Sequence, residues 1–317
     1  QEKIKEEEIK NLSQQLLPEE IKNLHQLDGG KNNKVYLVTT NHKKYVTKAY
    51  YSHPRDPRNR LQTEFSALHF LWDRHIRSIP QPIAQNPEKN IAIYSYIEGE
   101  KILSKDITEQ DIDTAILFLA NINSLQINPL QKPSNQFQNA SDACLCFQDY
   151  INIINRRLKH LQETKNDSHL ENAMHSFIQN QYLPYLNEII PQLQQQLIPI
   201  GSTKDTQIKK KILSPCDFGF HNALRTIDTT DPSPNYSSIT FLDFEYFGWD
   251  DPAKTISDFI IHPGMQLTEP LRKRFAKNIL LHFNNPELNQ RIHFIFPLVG
   301  LIWCLIILNE FVPQHQI

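Results

Sequence analysis

Two hydrophobic periods divide the chain. From Asn23 to Tyr51 apolar and polar residues alternate, in NLHQL, KVYLVTT and KKYVTKAYY, which is the two-residue period of strands. A polar turn, Gly29 to Asn33, separates the first two of these runs. Next, RNRLQTEFSALHFLWDRH places Leu61, Phe65, Leu68 and Trp72 at helical spacing, predicting one buried stripe. IPQPIAQNPEKNIAIYSYIEGEKI then reads as strand, turn, strand and linker. From Thr108 onward the helical period dominates. DITEQDIDTAILFLANINSL opens on a cap signal and carries Ile112, Ala115, Ile116 and Leu119 on one face. Helices are predicted at about 144–161 and 169–197, the second interrupted near Pro184 and Pro191. The Pro-, Asn- and Gln-rich stretch from Asn128 to Asp142 reads as a long surface loop. A small β-rich segment with one internal helix, followed by a larger helical one, is an α+β pattern.

The run Phe294 to Leu308 is apolar throughout. It is shorter than the ~20 residues that span a bilayer and contains Pro297 and Gly300. A buried core helix is therefore expected rather than a membrane anchor, with Trp303 and Ile307 on the inward face.

Composition adds little to this picture. With 317 residues, 39% hydrophobic and 21% charged, the chain can bury a real core. A formal net charge of −2 with no Lys/Arg run gives no footprint for nucleic acid, and the acidic EKIKEEEIK stretch reads as a solvated helix face. The four cysteines, Cys144, Cys146, Cys216 and Cys304, form no CxxC pair, so reduced thiols in a cytoplasmic protein are expected. The charged, polar amino end has no signal-peptide pattern.

The candidate chemistry lies in SPCDFGFHNAL and ITFLDFEYFGWDDPA. Asp217 precedes Asn222 by five residues, and Asp243 ends an apolar strand. A transferred phosphoryl group needs its charge neutralised by a divalent metal on oxygen ligands, and needs a carboxylate that takes the acceptor's proton. Asn222 and Asp243 can supply the first and Asp217 the second. Each residue alone would be an ordinary loop residue; order and spacing carry the reading.

This block resembles the aminoglycoside phosphotransferase and choline kinase family, whose signature is HxDxxxxN followed by an apolar strand ending in a metal-binding Asp. GWDDPA resembles the family's aromatic, turn and Asp-Pro-Ala segment. Two positions depart: Pro215 stands where the family has a His that braces the catalytic loop, and Thr255 where it usually has an Asp. Asp258, three residues later, is a candidate replacement.

The resemblance implies a bilobal protein-kinase-like fold. A β-rich N-terminal lobe, residues 1–97, would clamp the nucleotide, and a mainly helical C-terminal lobe, 98–317, would carry catalysis and the acceptor. It also implies roles upstream. Gly29 and Gly30 would lie in a phosphate-binding turn, although the same turn also reads as a plain hairpin. Lys48 would contact the nucleotide phosphates, against the alternative of a surface lysine on an edge strand. Glu64 would pair with Lys48, against the alternative of a solvated helix residue. Backbone groups of Tyr96 and Ile97, in the hinge Ser95 to Gly99, would bond an adenine edge. ATP and Mg²⁺ are the implied cofactors. Glu245 stands where protein kinases have the Gly of their Asp-Phe-Gly and adds charge near the metals; His221 reads either as a substrate contact or as a loop His satisfied by backbone.

Only seven residues separate Asp243 from Asp251, which leaves no room for a peptide-binding platform. A small hydroxyl-bearing acceptor, such as a sugar, amino sugar or amino alcohol, is therefore expected. Pro215 motivates the competing reading, a catalytically silent nucleotide-binding protein.

Overall fold

The computed structural model describes residues 6–27, 33–52, 58–124, 137–164, 168–227 and 237–312. In chain order the elements are α1 (Glu6–Leu16), β1 (Asn23–Gln26), β2 (Lys34–Thr39), β3 (Lys44–Ala49), α2 (Arg60–Asp73), β4 (Pro82–Asn86), β5 (Ile91–Ser95), β6 (Glu100–Lys101), α3 (Glu109–Ser124), α4 (Phe147–Gln162), α5 (His169–Phe177), α6 (Leu183–Gln195), β7 (Ile212–Ser214), β8 (Ala223–Ile227), β9 (Ser237–Phe241), β10 (Gly248–Asp250), α7 (Pro252–Ile261), α8 (Glu269–Ile279) and α9 (Leu288–Leu308). They form two compact units. One comprises Gln1–Ser141 and Pro215–Gly248, the other Asp142–Ser214 and Trp249–Ile317.

The first unit is built on a five-stranded antiparallel sheet of order β1-β2-β3-β5-β4. Its alternating residues bury Tyr36 and Ile91 against Ile9 and Leu12 of α1, and Val38, Tyr45 and Ile93 against Leu17 and Ile21, which follow α1. Lys48 lies on β3, the central strand, opposite Val35 on one side and Ala92 on the other. It is not on an edge.

In α2 the buried face is Leu61, Glu64, Ala67, Leu68 and Leu71, while Phe65 and Trp72 are half-buried. The stripe expected from the apolar pattern is thus rotated to take in a carboxylate. Three interior donors, described below, make that burial tolerable.

A second sheet, β6-β8-β9, carries the catalytic-loop candidates. Ala223 pairs with Phe241 and Leu224 with Thr240. Helix α3 buries Ile112, Ala115, Ile116 and Leu119 as expected. Its first turn is closed by Thr108 N–H donating to Asp111 Oδ2 (2.8 Å) and Asp111 N–H to Thr108 Oγ1 (3.2 Å). Asp111 also holds Arg225 of β8 with two bonds of 2.9 Å. A Cβ on Gly99 would lie 2.8 Å from Arg225 O, so the linker reaches β8 only with glycine there.

The second unit is mainly helical. Helix α9 packs along α7 and α4. It is the one helix among the described residues long and apolar enough to cross a membrane, and 44% of its most apolar window is buried inside the protein. Its buried face is Phe294, Ile295, Leu298, Val299, Leu301, Ile302, Leu305 and Leu308. Ile307 is 48% exposed and Trp303 half-buried, which corrects the inward face expected for them. Trp303 Nε1 instead donates to Asp258 at 2.9 Å, and that bond holds the indole at the rim.

The helical interruption expected near Pro184 falls just before it, whereas none falls at Pro191. A π-helical turn, Ile178–Tyr182, separates α5 from α6, and α6 runs on through Pro191. Pro184 occupies the first turn of α6, directly after the π-helical turn.

Asp251 caps α7 through Ala253 N–H (2.9 Å) and accepts from Tyr150 Oη (2.9 Å) and Arg291. Asp250 accepts from the N–H groups of Cys144 and Asp251 and from Lys254. Burial nonetheless pushes its carboxyl up to about 6, against the pull of Lys254. Thr255 donates its hydroxyl to Ser214 at 3.0 Å, while Asp258 is engaged by Lys254 and Trp303.

Candidate active site

The first unit concentrates its buried charge around Lys48. The ammonium lies 2.7 Å from Glu64 Oε2, 2.7 Å from Asp243 Oδ1 and 3.7 Å from Glu245 Oε2. Burial alone would disfavour this charge, but Glu64 and then Asp243 and Glu245 outweigh it and hold the lysine protonated well above its usual range. The alternative of a solvated Glu64 is excluded by geometry: its side chain is 5% exposed. Besides Lys48 it accepts from Tyr50 Oη (2.6 Å) on Oε2 and from the backbone N–H of Phe244 (3.1 Å) on Oε1. One carboxylate on α2 therefore fixes both the lysine of β3 and the backbone beside Asp243.

Glu245 is as deeply buried and has its own cation. Arg60 Nη1 lies 3.1 Å from its Oε1, each side chain being 3% exposed. The Asn33 amide donates to its other oxygen, and Asn33 Oδ1 accepts from Tyr51 N–H at 2.9 Å. Glu245 thus ties the end of the β1–β2 connection to the segment after β9. Gly29 and Gly30 lie outside the described residues. β1 and β2, which flank them, pair as a hairpin.

Asp217 and Asn222 are positioned by alternation within the loop between β7 and β8. Phe218 and Phe220 point inward while Asp217 is exposed. Phe218 stacks on Phe118 of α3 (5.6 Å) and lies 4.8 Å from Phe241, so an aromatic cluster anchors the loop from within. Asn222 Nδ2 donates to Asp217 O (3.0 Å) and Oδ2 (3.1 Å), and His221 Nε2 lies 3.0 Å from Asp217 Oδ1. Asn222 also accepts from the backbone beside the metal-ligand candidate, Leu242 N–H donating to Asn222 O at 2.8 Å.

That backbone bond joins the loop to the end of β9. Cys216, Asp217 and Asp243 have φ of 54°, 39° and 66°, a left-handed conformation that costs residues with a Cβ about 1–3 kcal/mol each. Three such residues, two of them the acidic candidates, concentrate backbone strain at this loop and the end of β9.

The hinge candidates are less committed. Tyr96 N–H donates to Lys44 O at 3.4 Å, and the Lys44 ammonium lies 5.5 Å from the Tyr96 ring centre. Tyr96 and Ile97 are both half-buried.

The carboxylate oxygens of Glu64, Asp243 and Glu245 come within 4.8 Å of one another. Such an oxygen-only set suits a hard cation such as Mg²⁺. Glu64 and Glu245 are buried and engaged by Lys48 and Arg60, whereas the Asp243 side chain is 35% exposed, so Asp243 is the member open to a metal. The sequence pattern did not single out Asn33, Tyr50, Arg60 or Tyr94 for this cluster. Arg60 carries a weak signal, lying one helical turn before Glu64.

A family model described as the phosphotransferase enzyme family matches residues 23–182. The chain belongs to this family, and it is a small-molecule phosphotransferase acting on a hydroxyl acceptor. The matched span contains Lys48 and Glu64 and ends before Asp217, Asn222 and Asp243.

Among solved structures, the chain is similar to spectinomycin phosphotransferase APH(9)-Ia in complex with ADP and spectinomycin, with a TM-score of 0.67 and 15% identity over 99% of this chain and 91% of that one. It is similar to an ethanolamine kinase from Plasmodium vivax (TM-score 0.62, 14% identity, 95% and 79% covered). It is also similar to choline kinase LicA from Streptococcus pneumoniae (TM-score 0.61, 18% identity, 96% and 91% covered). These similarities show the kinase-like α+β fold. No curated protein matches the chain.

Proposed function

We propose that the protein is an ATP-dependent O-phosphotransferase for a small hydroxyl-bearing metabolite. The observation that carries this reading is Lys48 at 2.7 Å from both Glu64 and Asp243. A lysine fixed on a central strand beside an accessible Asp is arranged to meet nucleotide phosphates next to a metal ligand. Gly29 and Gly30 would approach those phosphates, and backbone groups of Tyr96 and Ile97 would bond the adenine. Asn222 and Asp243 would hold Mg²⁺, which neutralises phosphate charge when bound. Asp217, exposed at the loop surface, would accept the proton of the acceptor hydroxyl as its oxygen attacks.

Residues 1–97 would then clamp the nucleotide, while 98–317 would supply the catalytic loop and the acceptor site. A sugar, an amino sugar and an amino alcohol are all compatible acceptors. The similarity to proteins named for spectinomycin, ethanolamine and choline supports this range. Four free cysteines fit a cytoplasmic location, and a charge of −2 without a Lys/Arg run offers no footprint for nucleic acid.

Pro215 favours a second reading, a silent nucleotide-binding protein. Against it, His221 and Asn222 both hold the Asp217 carboxylate, so this loop is braced without a His at position 215. The test is ADP release from MgATP across a panel of hydroxyl-bearing acceptors. At least one acceptor should raise release above background, and Asp217→Asn should lower that turnover by roughly a hundredfold or more. Nucleotide binding without stimulation by any acceptor would favour the silent reading. An Asp217→Asn variant with full turnover would remove Asp217 from the mechanism.

A further inference from the structure

Two tyrosine hydroxyls lie beneath the Lys48–Glu64 pair. Tyr50 Oη is 2.6 Å from Glu64 Oε2, the oxygen that also takes Lys48, and 2.6 Å from Tyr94 Oη. Both rings are buried, at 6% and 4% exposure. Tyr50 donates its one hydroxyl proton to Glu64, so toward Tyr94 its oxygen is the acceptor and the Tyr94 hydroxyl donates. The result is a directed chain, Tyr94 to Tyr50 to Glu64, in which each bond polarises the next. Burial, and after it the Glu64 charge, raise both phenols well above their usual range, so both remain donors.

We infer that Tyr50 is a positioning residue for nucleotide binding: its hydroxyl, held in turn by Tyr94, fixes the Glu64 carboxylate that sets where the Lys48 ammonium stands. The inference rests on the reading of Lys48 as the phosphate contact. Lys48 has three carboxylates within reach, and only Glu64 belongs to a helix that also binds the backbone at Phe244. Without the Tyr50 hydroxyl, Glu64 Oε2 keeps Lys48 as its one remaining donor among the described residues. The ammonium is then freer to shift toward Asp243 and Glu245. The Tyr50 ring, whose centre is 5.1 Å from Lys48 Nζ, is a separate contribution that phenylalanine retains.

Tyr50→Phe therefore removes the hydroxyl and keeps the packing. The probes are ADP with Mg²⁺, which carries phosphates for Lys48, and adenosine, which carries none. Each is titrated calorimetrically into wild type, Tyr50→Phe, Tyr94→Phe and Lys48→Ala, with thermal melts confirming that every variant is folded. Loss of a hydrogen bond to a charged group predicts about tenfold weaker ADP binding by Tyr50→Phe, with adenosine unchanged. Tyr94→Phe should show a smaller loss with the same selectivity. In the Lys48→Ala background Tyr50→Phe should add less than about twofold, because the two act through one contact.

Equal weakening of ADP and adenosine would mean damage to the sheet rather than positioning, and would overturn the inference. So would a Tyr50→Phe variant that binds ADP as wild type does. If wild type itself binds no ADP, the nucleotide reading falls and takes this inference with it.

Discussion

Arg60 is the most exacting test of the buried charge cluster. Arg60→Met removes the guanidinium 3.1 Å from Glu245, in a pair whose side chains are each 3% exposed. Breaking a buried pair from one side costs about 3–5 kcal/mol, because the remaining charge is left in a poor solvent. Glu245 keeps the Asn33 amide and Lys48 at 3.7 Å, which places the expected loss at the lower end, about 3 kcal/mol. Arg60 also lies 5.6 Å from the Tyr51 ring centre and 5.5 Å from that of Tyr246, and methionine keeps part of that packing. Equilibrium urea unfolding of wild type, Arg60→Met, Glu245→Gln and the double variant gives the coupling. Glu245→Gln removes the stranded charge, so in the Arg60→Met background it should restore at least about 1 kcal/mol. A loss below about 1 kcal/mol for Arg60→Met, the range of exposed pairs, would refute the reasoning. A further loss on adding Glu245→Gln would refute it as well.

Asp111→Asn should cost about 2 kcal/mol at neutral pH, the value of hydrogen bonds to a charged group, since Asp111 holds Arg225 with two 2.9 Å bonds. Burial raises the Asp111 carboxyl, but Arg225 and the Thr108 N–H outweigh it and hold it below the usual 3.8. The stability difference, read by urea unfolding, should therefore be full above that value and disappear as pH falls through the folded-state titration. Asp250 has the opposite sign: burial moves it from 3.8 to about 6, so the folded state keeps the proton longer. Compared with Asp250→Asn in thermal melts, wild type should be relatively most stable below 3.8 and should lose that advantage as pH rises through about 6.

The parts legible in the sequence are those written in local period or in fixed spacing. The alternation around Lys48, the stripe of α3 and the Asp217, Asn222 and Asp243 series all lie within short windows. The carboxylate of Glu64 can be placed on a helix but not oriented, because its orientation depends on partners 16, 14 and 180 residues away. Apolar counting alone puts Phe65 and Trp72 in the stripe, and the structure rotates α2 toward those partners instead. Ile307 is misplaced for a related reason: a helix apolar on every side gives no phase, and its exposed face is set by what packs against it. Tyr50 and Tyr94 have no linear signal at all. Tyrosines on or just after a strand are ordinary core residues, and the contact of Tyr50 with Tyr94 shows only when β3 and β5 pair.

The central claim is that this constellation binds MgATP and divides binding from chemistry. Thermal or urea unfolding with and without MgATP tests it directly, since a ligand at a hundredfold excess over its Kd stabilises the native state by about 2.7 kcal/mol. The account predicts a shift of that order for wild type, the same shift for Asp217→Asn, and a reduced one for Asp243→Asn, which loses the proposed metal ligand. No stabilisation of wild type at millimolar MgATP, or a full shift retained by Asp243→Asn, would contradict it.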